Sequence, residues 1–226
     1  MRVILIIIYS ALIFNLQAQD RAYHSGFAPE FTINKKISKK VSLTTKVESI
    51  HYYYSNEDRI GYLTPWNHKG IDFQFFGNYK LSPFYRISLG YQLSYNPDGK
   101  PSNRLIEQLS YSGKLGSMKL GHRVRADQTF YSSGPAKFRF RYRFSLQIPL
   151  QGSSVDVGEF FLITSDELIL TAKSGGSSIE NRALFQVGYK PFEKIDIQVG
   201  FDYRAEGANR IEESESLMKI ALIFDL

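Results

Sequence analysis

The sequence alternates apolar and polar residues in runs of 10 to 13, and this pattern leaves few folds open. In 84–96, Tyr85, Ile87, Leu89, Tyr91, Leu93 and Tyr95 share one parity, against Arg86, Ser88, Gly90, Gln92 and Ser94. In 138–148, Phe138, Phe140, Tyr142, Phe144, Leu146 and Ile148 oppose Arg139, Arg141, Arg143, Ser145 and Gln147. A third clear run covers 195–204. Less regular runs at 26–36, 41–53, 70–81, 104–115, 118–131, 159–171, 181–190 and 216–226 bring the total to eleven. Period 2 means β-strand, because successive side chains point to opposite faces. Strands of soluble domains centre on about 5–6 residues, whereas a tilted strand crossing a bilayer needs about 9–11. The length of the runs therefore points to an all-β chain forming a single antiparallel up-and-down transmembrane β-barrel.

The connections support this reading. Short turns fall at Ser38-Lys39-Lys40, Ser82-Pro83, Gly116-Ser117 and Phe192-Glu193. Longer polar loops fall at 55–69, 97–102, 132–136, 172–179 and 205–214. Alternating short and long connections mark periplasmic turns and extracellular loops. The connection Gln151–Gly158 is long for its side. Eleven runs also conflict with the even counts usual in bacterial barrels, so the range expected is about 10–12. Pro29 lacks a ladder donor and weakens the first run, which favours ten full strands with 20–36 short of a crossing.

Export is written at the N-terminus. Arg2 precedes the 14-residue apolar stretch Val3–Leu16, and Ala18 closes it before Gln19. This is a signal-peptide pattern, too short for the roughly 20 residues of a spanning helix. It divides the chain into a signal peptide at 1–18 and a barrel at 19–226. No cysteine is present, so no disulfide staples the exported chain. The formal charge is +6, with basic residues spread through the strand runs. That distribution argues against nucleic acid as a partner.

In a membrane barrel the apolar parity faces lipid and the polar parity faces the lumen. Ten long strands carrying paired Tyr and Phe would overfill a soluble barrel, whose interior is just filled at about eight strands. Tyr52, Tyr53, Tyr54, Tyr95, Tyr131 and Tyr203 near run ends suit an interfacial aromatic girdle. His122 falls on the lipid-facing parity. Arginines crowd neighbouring runs on the polar parity: Arg123 and Arg125, then Arg139, Arg141 and Arg143. Acidic candidates for pairing with them are Glu48, Asp72, Glu107, Asp127, Asp166, Glu167, Asp196 and Asp202. Such a lumen is either salt-bridged and plugged or lined for small anions, which guanidinium forks recognise well.

Signals for catalysis are weak. His24, His51, His68 and His122 are the four histidines, and none stands in a known catalytic motif. Ser165, Asp166 and Glu167 are adjacent, so a strand would send them to opposite faces. Gly175-Gly176 is a loop tip with no helix after it to cradle phosphate. No metal-ligand spacing occurs. The expectation is a non-enzyme with no cofactor.

Several stretches in the second half resemble the DUF2490 family of uncharacterised outer-membrane proteins, found in Bacteroidetes and some proteobacteria. They are His122-Arg123-Val124-Arg125-Ala126-Asp127-Gln128, Phe138-Arg139-Phe140-Arg141-Tyr142-Arg143, Ser165-Asp166-Glu167-Leu168, and Asn181-Arg182 leading to Gly188-Tyr189-Lys190. The resemblance covers roughly 104–226 and implies the bacterial outer membrane of a Gram-negative cell. It implies no chemistry. It marks Arg123, Arg139, Arg141, Glu167 and Arg182 as a shared polar-face pattern, to which the alternation adds Arg125, Asp127 and Arg143. The C-terminus departs from the barrel habit of ending on an aromatic, since Asp225-Leu226 follow Phe224. The function expected is a structural or narrow, porin-like pore protein in contact with outer-membrane lipid, its polar lumen open to small anions. The alternatives are an accessory subunit docked on another outer-membrane protein, or a membrane-embedded lipid-modifying enzyme.

Overall fold

A computed structural model describes residues 22–56, 67–97, 101–132, 134–207 and 211–226. The signal-peptide reading of 1–18 lies outside the described residues. Eleven strands form one closed barrel: β1 (Ala22–Lys36), β2 (Val41–Ser55), β3 (Asn67–Lys80), β4 (Tyr85–Tyr95), β5 (Ser102–Leu115), β6 (Met118–Tyr131), β7 (Lys137–Pro149), β8 (Phe160–Lys173), β9 (Gly176–Phe192), β10 (Ile195–Gly207) and β11 (Glu213–Asp225). Each strand pairs antiparallel with its neighbour in sequence, and β1 pairs parallel with β11. An up-and-down chain with an odd number of strands closes in no other way, because its first and last strands run the same direction.

All eleven alternating runs are strands, so the expectation of ten is corrected. Pro29 does not exclude β1 from the wall. The β1–β2 ladder runs to Phe27↔His51 and resumes at Glu30↔Glu48, while the β1–β11 side holds register through Pro29↔Ile220. One missing N–H is tolerated at such an irregularity. The length alternation of the connections fails at two places. The run expected as a loop at 172–179 is mostly hairpin, with β8 reaching Lys173 and β9 starting at Gly176. Gly175 (φ 94°) and Gly176 (φ 149°) supply the positive φ that a tight hairpin demands. On the opposite end, 150–159 is long as expected, and Gln151 folds it back by accepting a hydrogen bond from the Phe160 N–H at 2.7 Å.

The alternation places polar residues inside. On β4, Leu89 is 65% exposed and Gln92 is 1% exposed. Side chains such as Phe201, Phe185 and Phe140 stand outward, while Asp127, Glu167 and Gln186 are buried. A protein in water does the reverse, so this surface is built for lipid. Tyr131 shares the inward parity of Asp127 and Thr129 and faces the lumen, whereas Tyr53, Tyr95 and Tyr203 stand exposed toward the loop end as expected. Tyr52 does not: it shares parity with Lys46 and Glu48, turns inward, and stacks on His24 at 4.8 Å.

Two glycines make room for large rings in the lumen wall. Phe76 lies opposite Gly90 and Phe161 opposite Gly188. A Cβ on Gly188 would overlap the buried Phe161 ring, and one on Gly90 the Phe76 ring. Gly188→Ala should therefore cost about 1–3 kcal/mol by overpacking. Because the overlap is with the ring, Phe161→Ala in the same chain should recover most of that loss. Urea unfolding followed by the heat-modifiable gel shift measures the cycle, and simple additivity would contradict the pairing.

Candidate functional site: an arginine-rich lumen

The lumen encloses a cavity of about 690 Å³ with a mainly polar lining. Its chemistry follows from register. Strand β7 carries Arg139, Arg141 and Arg143 at every second position, and β6 sets Asp127, Arg125 and Arg123 directly opposite them. On the other side, β8 brings Glu167 opposite Arg143, and β9 brings Arg182 opposite Glu167. Four strands thus converge on two buried carboxylates.

Glu167 is the hub. Its carboxylate lies 2.6 Å from Arg123 Nη2, 3.3 Å from Arg141 Nη2 and 3.5 Å from Arg143 Nε. Asp127 lies 3.3 Å from Arg139 and 3.5 Å from Arg141. Arg141 thereby bridges the two acids. Arg182 pairs with Glu180 two residues before it. Arg125 and Arg104 take neutral partners instead. Arg125 donates to Gln108 Oε1 at 2.8 Å and lies over the Phe76 ring, 5.4 Å from its centroid. Arg104 donates to Gln92 Oε1 at 3.0 Å and Thr129 Oγ1 at 2.9 Å.

This wall holds seven guanidinium groups (Arg104, Arg123, Arg125, Arg139, Arg141, Arg143 and Arg182) against the carboxylates of Asp127, Glu167 and Glu180. The Nε atoms of Arg123, Arg139 and Arg141 are buried with no hydrogen-bond acceptor among the described residues, and both Asp127 oxygens are buried without a hydrogen-bonded donor. The wall therefore carries excess positive charge and spare donors, the conditions for holding an anion.

A second network lies across the β1–β11 seam and is close to charge balance. Lys219 on β11 reaches Glu30 on β1 and Glu48 on β2, each at 2.8 Å, and Lys46 reaches Glu30 at 2.7 Å. Arg204 on β10 lies 2.8 Å from Asp202 and 3.4 Å from Glu215, which also meets Lys69 and the Tyr52 hydroxyl. Glu48 and Asp202 were singled out in the sequence. Glu30, Lys46, Lys219 and Glu215 were missed, although each lies on its strand's inward parity.

The eight residues expected to form the lumen cluster all face inward. Arg123, Arg141, Arg143 and Glu167 meet; Asp127 joins through Arg139 and Arg141; Arg125 stands apart on Gln108. Two expected acidic partners are corrected. Glu107 lies between exposed Leu105 and Leu109 on the outer face. Asp166 also faces outward, accepting from Asn181 Nδ2 at 3.1 and 3.2 Å. Both share parity with leucines, so their position was legible in the alternation. His122 faces outward as expected, 2.7 Å from the Tyr142 hydroxyl. Among the described residues no group of three or more His, Cys, Asp or Glu is placed to hold a metal ion.

The family model described as "Protein of unknown function (DUF2490)" matches residues 29–212. No curated protein matches the chain. Among solved structures, LpxR from Salmonella typhimurium superposes with a TM-score of 0.50 at 8% identity, over 82% of this chain and 83% of that one. At that identity the likeness concerns the fold. With the lipid-facing surface, these matches place the barrel in the bacterial outer membrane.

Removing Glu167 leaves three guanidinium groups around an empty place. Glu167→Ala should destabilise the barrel by about 3–5 kcal/mol, the loss typical of one partner removed from a buried ion cluster. Removing Asp196, which pairs with Lys190 at 3.4 Å near the turn end, should cost no more than about 1 kcal/mol. Urea midpoints of the two variants in detergent micelles make the comparison.

Proposed function

The chain belongs to the DUF2490 family, and from that premise we propose that it is a narrow outer-membrane pore selective for small anions. The excess of buried arginine over carboxylate on the β5–β9 wall carries this reading. An anion entering the cavity meets guanidinium donors already desolvated and held in place by Glu167 and Asp127. A cation meets the same wall as a barrier. Rings of basic side chains select anions in this way, and Arg offers phosphate or carboxylate two parallel donors. Transport of this kind needs no covalent chemistry and no cofactor.

Supporting the location, residues 1–18 read as a cleaved export signal, and the family resemblance points to a Gram-negative source among the Bacteroidetes. N-terminal sequencing of the membrane form should begin at Gln19.

The pore is tested in planar bilayers under a salt gradient. Conductance with a reversal potential on the anion side is expected. Arg139→Gln and Arg182→Gln should each lower the anion-to-cation permeability ratio several-fold. A closed barrel with no conductance, or one preferring cations, would overturn the proposal.

A further inference from the structure

A separate group of side chains lies on the outer face of the wall, away from the lumen. Ser49 and His51 occupy the outward parity of β2, and His68 stands opposite His51 on β3. Ser49 Oγ is 3.0 Å from His51 Nε2 and 3.0 Å from His68 Nε2, and 3.3 Å from the Gly70 carbonyl oxygen. The His51 ring is held between two others. Phe27 of β1 stacks on one side at 5.1 Å and 18°, and His68 on the other at 4.7 Å and 27°. All three polar side chains are half-buried rather than covered.

Two facts separate this group from ordinary strand decoration. A polar triplet on a lipid-facing surface is costly unless it meets an interface. This one does: the pair His51↔His68 is followed only by Tyr52↔Asn67 before β2 and β3 part at the loop end, and Tyr53 stands exposed beside it. Toward the barrel's middle the same face turns apolar, with Val47 paired to Phe73. The group therefore sits at the depth where headgroups give way to acyl chains. Second, a hydroxyl within hydrogen-bond reach of an imidazole whose ring is itself fixed is the arrangement of an activated nucleophile.

We propose that Ser49, His51 and His68 form an acyl-ester hydrolase site acting on lipids of the leaflet at the loop end. An ester at the headgroup boundary reaches Ser49 while its acyl chain lies along Val47, Ile71 and Phe73. Ser49 Oγ bonds to the carbonyl carbon as its proton passes to His51 Nε2. The carbon–oxygen bond to the alcohol then breaks, and the alcohol leaves with that proton. Water, the co-reactant, attacks the acyl-serine and gives its proton to His51. The bond to Oγ breaks, Ser49 takes the proton back, and the fatty acid departs. Ser49 and His51 are the catalytic residues. His68 is a positioning residue that holds the hydroxyl from the β3 side. The site stands independently of the pore, sharing no residue with it.

The test uses the full-length barrel purified in detergent and a long-chain alkyl fluorophosphonate as probe, with the adduct mapped by peptide mass spectrometry. A single adduct on Ser49 of the wild-type chain is expected. It should vanish in Ser49→Ala and form at least about 100-fold more slowly in His51→Gln, the scale of a lost general base. His68→Ala should slow labelling, and His68→Gln, whose amide reaches the same oxygen, should restore most of it. Each variant is first checked for heat-modifiable migration. Vesicles of ester lipid should release fatty acid with the wild type and not with Ser49→Ala. A properly folded wild-type barrel that takes no probe, or takes it elsewhere than Ser49, would overturn the proposal whatever the variants do.

Discussion

Everything in this barrel depends on joining β1 to β11. An odd strand count forces that seam to be parallel, and parallel pairing is slightly weaker per residue than antiparallel. Side chains reinforce the seam from inside: Lys219 on β11 reaches Glu30 on β1 and Glu48 on β2, and Lys46 completes the lattice. The ion pairs cross the same gap that the backbone closes, so wall and lumen lock together. A single lysine facing two carboxylates ties three strands where the sheet has its weakest ladder.

The lumen wall from β5 to β9 follows a different logic. There the ladder is antiparallel throughout, and side chains are not needed to hold strands together. Charge is accordingly less balanced, with guanidinium groups crowded round Asp127 and Glu167 and others resting on Gln92, Gln108 and Thr129. Burying such groups is costly, and their mutual pairing offsets that cost only in part. One side of the barrel is thus organised for closure and the other for recognition, although both are built from the same alternation.

Much of this was legible in the sequence. The fold followed from run length and period, and the lumen arginines from parity in Phe138-Arg139-Phe140-Arg141-Tyr142-Arg143. What escaped did so for physical reasons. The charge of Glu107 and Asp166 suggests an inward place, but parity with neighbouring leucines puts them outward. An even strand count is a habit that a parallel seam lifts, and Pro29 is accommodated where the β1–β2 ladder is irregular. Glu30, Lys46 and Lys219 lie in irregular runs, and only closure brings them within reach. Ser49, His51 and His68 carry no motif, because the meeting of β2 with β3 is a matter of register, which a linear pattern does not record.

The parallel seam also fixes where the first strand begins and the last strand ends. β1 begins at the loop end and β11 finishes at the turn end, so the first and last strands lie side by side while their outer ends lie on opposite sides of the bilayer. In an even-stranded barrel both ends stay in one compartment. Here the start of β1 must itself be carried across the membrane as the sheet closes, and an affinity tag fused there would be displayed on the opposite surface from one fused after Leu226. Nor can a short linker join the start of β1 to the end of β11, so circular permutation of the barrel strands, which suits so many compact folds, is closed to this one.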